Sequence, residues 1–410
     1  MEKKKVFIFN YFMYIGGAER ALLGLLNAID YTKYDVDLFL AMHVGELMSL
    51  IPKEVNLLPE NSRYAGYACP LRKVLFSKNF MIGLARLNAK RKYRSYIKNK
   101  GVNESASSFQ YVVKEMMPYL PEINPQTEYD LVISFIAPHD IIVDKVKAKK
   151  KICWIHTDYT RIDINVEQEL PVWDAYDQII SISSDVTKTF LQVFPSLSSK
   201  IVEMENILSP EFVRKRSSEL DVSAEMSKSD KTINLLSIGR YCYQKNFENI
   251  PNICKKINTK LLSLNSKLSI RWFLIGFGGD KELIRRKIAE AGMQDHVIIL
   301  GKKSNPYPYI KACDIYVQPS RYEGKSVTVR EAQMLCKPVV VTNYPTAKSQ
   351  IQDGIDGKIV PMDNEGCAQG LAEFIQNTEL QKQVTEYLKT HDYGNETEVE
   401  KLYEIINEDV

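Results

Sequence analysis

Metal-binding patterns are scarce in this 410-residue chain, which has five histidines, no H-E-x-x-H segment and no cysteine–histidine cluster. That scarcity argues against a built-in zinc site and sets the expectation of no metal. The seven cysteines (Cys69, Cys153, Cys242, Cys254, Cys313, Cys336 and Cys367) are odd in number and never form C-x-x-C. Several lie inside apolar runs, so free buried thiols in a reducing compartment are expected rather than a disulfide framework. No apolar run is long enough to cross a bilayer as a helix. Lys3, Lys4 and Lys5 precede an apolar stretch from Val6 to Ile15, but Asn10 interrupts it and no small-residue cleavage pattern follows. A first buried strand is expected there, not a leader. The net charge of +3 is too small to call for nucleic acid.

What is present is a repeated alternation of apolar runs and helix-period segments, the pattern of parallel α/β architecture. In the first half, strands are predicted at Val6–Asn10, Val36–Ala41, Leu131–Phe135, Lys151–His156 and Gln178–Ser183, with helices at Ala18–Ile29 and Ser184–Phe194. Residues Glu205 to Lys231 turn polar and read as a linker with some surface helix. A second alternation follows: Thr232–Gly239, Arg271–Gly276, Val297–Gly301, Ile315–Pro319, Pro338–Thr342 and Gly357–Val360, with helices such as Asp280–Ala291 and Cys367–Gln376. The expected fold class is α/β, two Rossmann-like doubly wound domains in tandem with an inter-domain cleft. The domains are placed at 1–205 and 206–385, with a helical tail at 386–410. In that tail Val399, Leu402, Tyr403 and Ile406 share one helical face, which packs back on the N-terminal domain.

The segment from Asp314 to Thr342 carries the densest chemistry. It reads as a buried strand, a loop with Glu323, a helix with Glu331 and a second buried strand. This puts two carboxylates and a helix N-terminus at the carboxyl edge of a parallel sheet, where open α/β folds bind ligands. A helix start led by Gly324-Lys325-Ser326 offers free N–H groups to an anion, while carboxylates suit hydroxyls, so phosphate plus polyol points to a nucleotide sugar. Arg240 and Lys245 follow another strand end and suit a diphosphate, or are two solvated cations. Gly16-Gly17, between the first strand and first helix, is a phosphate cradle or a plain tight turn. Gly276-Phe277-Gly278-Gly279-Asp280 lacks dinucleotide spacing and reads as a turn with Asp280 as helix cap. His156 ends a buried strand at the same kind of edge.

These residues together resemble the retaining glycosyltransferases of GT-B fold that include bacterial mannosyl-, glucosyl- and galactosyltransferases of cell-envelope assembly. The likeness runs over nearly the whole chain: G-G-A-E-R near the start, the strand-ending His156, I-G-R followed by Gln244-Lys245-Asn246, G-F-G-G-D, and P-S-R-Y-E-G with Glu331 completing E-x7-E. The resemblance implies that Arg240 and Lys245 hold the donor diphosphate and that Glu331 binds the ribose. It implies that Glu323 contacts the donor sugar, with the backbone of Lys325, Ser326 and Val327 near the phosphates. Gly16 and Gly17 would cap the phosphate and His156 would touch the sugar near the reacting carbon. It further implies metal-independent transfer, no cofactor beyond a nucleoside diphosphate sugar, UDP-linked, as co-substrate, and a hexose product with retained anomeric configuration. Where many members carry Glu-Gly-Phe-Gly, this chain has Glu323-Gly324-Lys325-Ser326, as in a subset of capsular and exopolysaccharide transferases.

Residues 61–103 hold eleven Lys or Arg residues and no Asp or Glu. Leu71, Val74, Leu75, Phe80, Met81, Ile82, Leu84 and Leu87 are interleaved with them. A basic amphipathic helix of this kind lies on an anionic membrane surface or is an ordinary solvated helix pair. The first reading places the protein in the cytoplasm, peripheral on the inner face of the plasma membrane, beside a lipid-linked or glycan acceptor; no recognition motif supports nucleic acid. Two rivals share the fold: a non-catalytic partner subunit of another transferase, and a sugar-nucleotide epimerase.

Overall fold

The computed structural model describes residues 2–102, 105–263 and 266–408. Asn103, at the end of the basic stretch, and the last two residues of the tail lie outside them. The chain forms two compact units, Met1–Ile207 with Glu396–Val410, and Leu208–Asn395.

The first unit is built on seven strands: β1 (Lys4–Asn10), β2 (Tyr34–Leu40), β3 (Asn56–Leu57), β4 (Tyr129–Ser134), β5 (Ala148–Ile155), β6 (Gln178–Ser181) and β7 (Ile201–Glu203). All pair in parallel, in the order β3-β2-β1-β4-β5-β6-β7. Helices cover both faces of such a sheet, so its central strands are apolar without alternation. Val6, Phe7, Ile8 and Phe9 of β1 are each at most 1% exposed. The second unit repeats the plan with β8 (Thr232–Ile238), β9 (Ser269–Ile275), β10 (Val297–Gly301), β11 (Ile315–Gln318), β12 (Val339–Thr342) and β13 (Lys358–Val360). Their order is β10-β9-β8-β11-β12-β13, again parallel. The order reverses between β1 and β4 in one sheet and between β8 and β11 in the other. Chains leaving the carboxyl ends of two such neighbours diverge to opposite faces and open a crevice.

Two edge strands, β3 and β7, were not expected, because two or three residues are too few to show a period. Phe135, His156, Ser183, Gly239 and Pro319, expected at strand ends, lie just past them in the loops. From Leu208 onward the polar stretch expected as a linker is part of the second unit. The helix Pro210–Arg216 is capped by the Ser209 hydroxyl, which accepts from the Phe212 amide at 3.3 Å. Val213, Val222 and Met226, spaced through polar residues, are buried in that unit's core. All seven cysteines are free, and Cys153, Cys254, Cys313 and Cys367 are buried.

The expected tail divides. The helix Thr378–Thr390 runs through its predicted start and buries Val384 and Leu388 in the second unit. The helix Val399–Asn407 packs in the first unit, with Val399, Leu402, Tyr403, Ile405 and Ile406 buried. Tyr403 stacks on Tyr34 at 4.7 Å, and its hydroxyl accepts from the Asp30 amide at 2.7 Å. Lys150, nearly buried, donates to the Ile405 carbonyl at 2.8 Å. Leu402→Ala removes a side chain that is 1% exposed, and we expect a loss of about 2–5 kcal/mol in urea unfolding followed at the first unit's tryptophans.

Candidate active site

In the second unit the expected site residues collect at the β8/β11 switch point. Lys245 and Glu323 form an ion pair at 2.6 Å, with side chains only 17% and 7% exposed. The loop carrying Lys245 leaves β8, and the loop carrying Glu323 leaves β11. The strand order therefore makes neighbours of residues 78 apart in sequence. Glu323 also accepts from Ser320 at 2.5 Å, from Gln318 at 3.1 Å and from Gln244 at 3.3 Å. A carboxylate held by four donors is fully solvated by protein and fixed in place. Arg240 stands on the same loop, exposed and with no ion pair among the described residues. That leaves a cation open to an anionic ligand beside a cation already balanced.

Glycine makes this geometry possible at two points. Gly276 (φ +155°) and Gly278 (φ +152°) lie against the loop after β8, where a Cβ would come within 1.9 Å of the Gly239 carbonyl oxygen and 2.4 Å of the Tyr241 carbonyl oxygen. The Tyr241 amide donates to Phe277 at 2.8 Å and the Asp280 amide donates to Tyr241 at 3.1 Å, so the two loops extend the β8–β9 pairing. The G-F-G-G-D turn thereby aims the Arg240 loop. Asp280 precedes the helix Lys281–Ala291, but its side chain makes no capping bond, contrary to the reading as a cap. Arg321 locks the other side: its guanidinium stacks on Tyr243 at 3.9 Å, pairs with Glu248 at 2.6 Å and donates to the Tyr243 carbonyl.

Glu331 lies on the helix Val327–Met334, 1% exposed, and accepts from the Tyr307 hydroxyl at 2.8 Å. Ser326 precedes this helix, and its amide donates to Gln350 Oε1 at 3.0 Å. That amide is thereby already engaged by Gln350. The amides of Val327 and Thr328, in the first turn, have no intrahelical acceptor. Lys325 is half-buried beside them.

In the first unit, Gly16-Gly17 follows β1 and opens the helix Gly17–Ala28. Glu19 folds back over it: a Cβ on Gly16 would lie 2.0 Å from Glu19 Oε2, so Gly16 makes room for a carboxylate at the helix start. His156 follows β5. Its Nε2 lies 2.8 Å from the Phe135 carbonyl oxygen, which can only accept. Nε2 therefore carries the proton and Nδ1 the lone pair. Burial pulls its pKa down to about 4, against the smaller opposing effect of that carbonyl.

Sequence reasoning did not find the groups around it. His139, after β4, shares a hydrogen bond with Ser134 at 2.8 Å, and burial lowers its pKa to about 3. Asp140 beside it is pushed up to about 6 and Glu169 to about 7, both chiefly by desolvation. Trp173 Nε1 donates to Glu169 at 3.3 Å and Trp173 meets the His139 ring at 4.5 Å. No motif announces these groups; three elements bring them together. Among the described residues no group of three or more His, Cys, Asp or Glu side chains is placed to hold a metal ion, and no helix is long and apolar enough to cross a membrane.

Residues 221–391 match the family model of glycosyl transferases group 1. The amylovoran biosynthesis glycosyltransferase AmsD of Erwinia amylovora is 25% identical over 180 residues, 43% of this chain and 49% of that protein. The N-acetylgalactosamine-N,N'-diacetylbacillosaminyl-diphospho-undecaprenol 4-alpha-N-acetylgalactosaminyltransferase of Campylobacter jejuni is 27% identical over 168 residues, 40% of this chain and 43% of that protein. The matched region thus spans less than half of each curated relative. The crystal structure of Anabaena Alr3699/HepE in complex with UDP-glucose superposes with a TM-score of 0.67, at 13% identity, over 98% of this chain and 99% of that one. At that identity the likeness establishes the fold: two parallel-sheet α/β units of the GT-B kind.

The first unit's acids give a pH signature. Asp140 has a folded pKa near 6, above its ordinary 3.8, so the folded state holds that proton more tightly than the unfolded state. Its contribution to stability falls as pH rises between those two values. We expect Asp140→Asn to gain stability relative to the parent across that window, with the difference level above it, in urea unfolding at acid and neutral pH.

Proposed function

We propose that this chain is a retaining hexosyltransferase that moves a sugar from a UDP-linked donor to a growing, lipid-linked cell-surface glycan. The observation that carries this reading is the Lys245–Glu323 pair across the β8/β11 switch point, with open Arg240 beside it. Breaking a sugar–phosphate bond leaves an oxocarbenium-like sugar and a diphosphate, so the catalyst must chiefly stabilise phosphate charge. Arg240 supplies a planar fork and Lys245 a point charge for that purpose. Glu323, held by four donors, keeps a carboxylate at a fixed point for the sugar hydroxyls, and Glu331 is assigned to the ribose. The first-turn amides from Val327 onward, with Lys325, complete the anion site. Gly16-Gly17 and the neutral His156 take the phosphate and sugar roles that the resemblance gives them. No metal or cofactor enters this scheme. The group 1 family match over residues 221–391 supports transfer chemistry. Relatives named for amylovoran and diphospho-undecaprenol substrates support a polymer or lipid-linked acceptor, and a neighbour bound to UDP-glucose supports the donor.

The acceptor reading extends to the basic stretch. It forms the helices Ser62–Ala65, Leu71–Leu75 and Phe80–Lys100. Ile82, Ala85 and Ala89 face inward, while Phe76 is 90% exposed and Phe80, Met81, Leu84 and Leu87 are also open. Phe80, Leu84 and Leu87 follow helical spacing, so the outward face is an apolar ridge. Lys92 and Lys100 are paired with Glu115 and Asp163, and Arg86 donates to the Gly66 and Cys69 carbonyls. Arg63 donates to the Tyr119 carbonyl at 3.1 Å, and the other cations of the stretch are left for anionic headgroups. In this reading the protein lies on the inner membrane surface, at the level of the acceptor's headgroup.

Two measurements test the reading. Lys245→Ala and Glu323→Gln should each lower transfer by about 10²–10³ in folded protein, and parental turnover in either would sink the assignment. In flotation with liposomes, binding should require anionic lipid and be lost in Phe80→Asp/Leu84→Asp; flotation indifferent to lipid charge would make the ridge an ordinary solvated helix face.

A further inference from the structure

Glu323 and the start of the Val327–Met334 helix are both held from one place that sequence reasoning passed over, the segment between β12 and β13. Thr346 donates its hydroxyl to the Glu323 carbonyl oxygen at 3.1 Å. Gln350 brackets Ser326: its Oε1 accepts from the Ser326 amide at 3.0 Å and its Nε2 donates to the Ser326 carbonyl at 2.6 Å. Gln350 is 5% exposed, so these bonds form out of water and leave little freedom to the loop. Ser326 stands at the N-cap position but makes no side-chain cap. An ordinary serine cap would place its own oxygen on the amides two or three residues ahead. Here the cap residue is held from behind by Gln350, and the amides ahead of it are left without that oxygen.

We infer that Gln350 is a positioning residue for the donor diphosphate: it holds the Ser326 peptide so that the first-turn amides of the Val327–Met334 helix face the phosphates. The inference rests on the nucleotide-sugar reading above and adds a residue to it that touches neither sugar nor phosphate. A glutamine suits the task because its planar amide both accepts and donates, matching the N–H and the C=O of one residue. Removing it leaves the buried Ser326 amide without its acceptor and the Ser326 carbonyl with only the longer bond from the Arg330 amide at 3.4 Å, which the loop relieves by rotating.

The test compares a nucleoside diphosphate with its nucleoside, since only the first meets those amides. Wild type is titrated calorimetrically with UDP and GDP; binding neither overturns the donor reading itself, a result read on wild type alone. With the nucleotide that binds, Gln350→Met, similar in length and without hydrogen bonds, should weaken the diphosphate at least fivefold while the matching nucleoside stays within twofold. Gln350→Glu keeps the acceptor for the Ser326 amide and loses the donor, so it guards against a methionine variant that fails to fold; it should show the same split. A parallel loss for nucleotide and nucleoside, or a lowered melting temperature with both affinities unchanged, would make Gln350 a purely structural residue and overturn the inference.

Discussion

A nearly buried lysine–glutamate pair at the switch point of the second sheet organises the rest of that unit. Such a pair contributes little net stability, because desolvating two charges offsets most of their attraction. What it does contribute is position. Glu323 is held by Lys245, Ser320, Gln318 and Gln244, so it cannot rotate away without leaving several donors unpartnered. The surroundings follow from that requirement. Gly239 gives the Lys245 stem room, since a Cβ there would lie 3.2 Å from it. Gly276 and Gly278 let the neighbouring loop close on the one that carries Lys245, and Arg321 locks the same loop from the opposite side. Thr346 and Gln350 then hold the carbonyl of Glu323 and the peptide of Ser326. The site is thus braced by side-chain donors on Glu323 and by side chains that hold the backbone of its loops.

The first unit handles charge differently. At the carboxyl edge of its sheet, His139 and His156 are held neutral by burial, while Asp140 and Glu169 hold protons more tightly than usual. The two tendencies oppose each other in stability. Buried neutral histidines make the fold gain stability as pH rises from about 4 toward about 6.5, and the two acids make it lose stability over much of the same range. At neutral pH the two imidazoles of this edge are therefore uncharged, while Asp140 is largely ionised. A neutral imidazole with its lone pair on Nδ1 can accept a hydrogen bond there, which an imidazolium cannot.

Much of the fold was legible from the chain. Eleven of the parallel strands announced themselves as apolar runs, because a sheet covered on both faces leaves no polar side to its strands. The two edge strands carry too few residues to do so. The pair of glutamates and the two cations were legible as residue types at strand ends. The acids after β4 and in the helix Val166–Asp174 were not, since an isolated aspartate or glutamate in sequence looks like any solvated surface group. Asp280 shows the opposite failure: a residue type suited to capping, in the right position, whose side chain makes no cap because the backbone around it serves the loop after β8.

The sequence by itself determined which segments are strands and helices and which chemical groups stand at their ends, because hydrophobic period and local turn chemistry act within a few residues. Only the tertiary structure decided who meets whom. Lys245 reaches Glu323 across 78 residues and Gln350 reaches Ser326 across 24. Those meetings depend on strand order, which no local pattern encodes. The same holds for Tyr403 on Tyr34, where the helix Val399–Asn407 completes the first unit's core. A hydrogen bond needs atoms within about 3 Å, and only the packed sheet supplies that proximity.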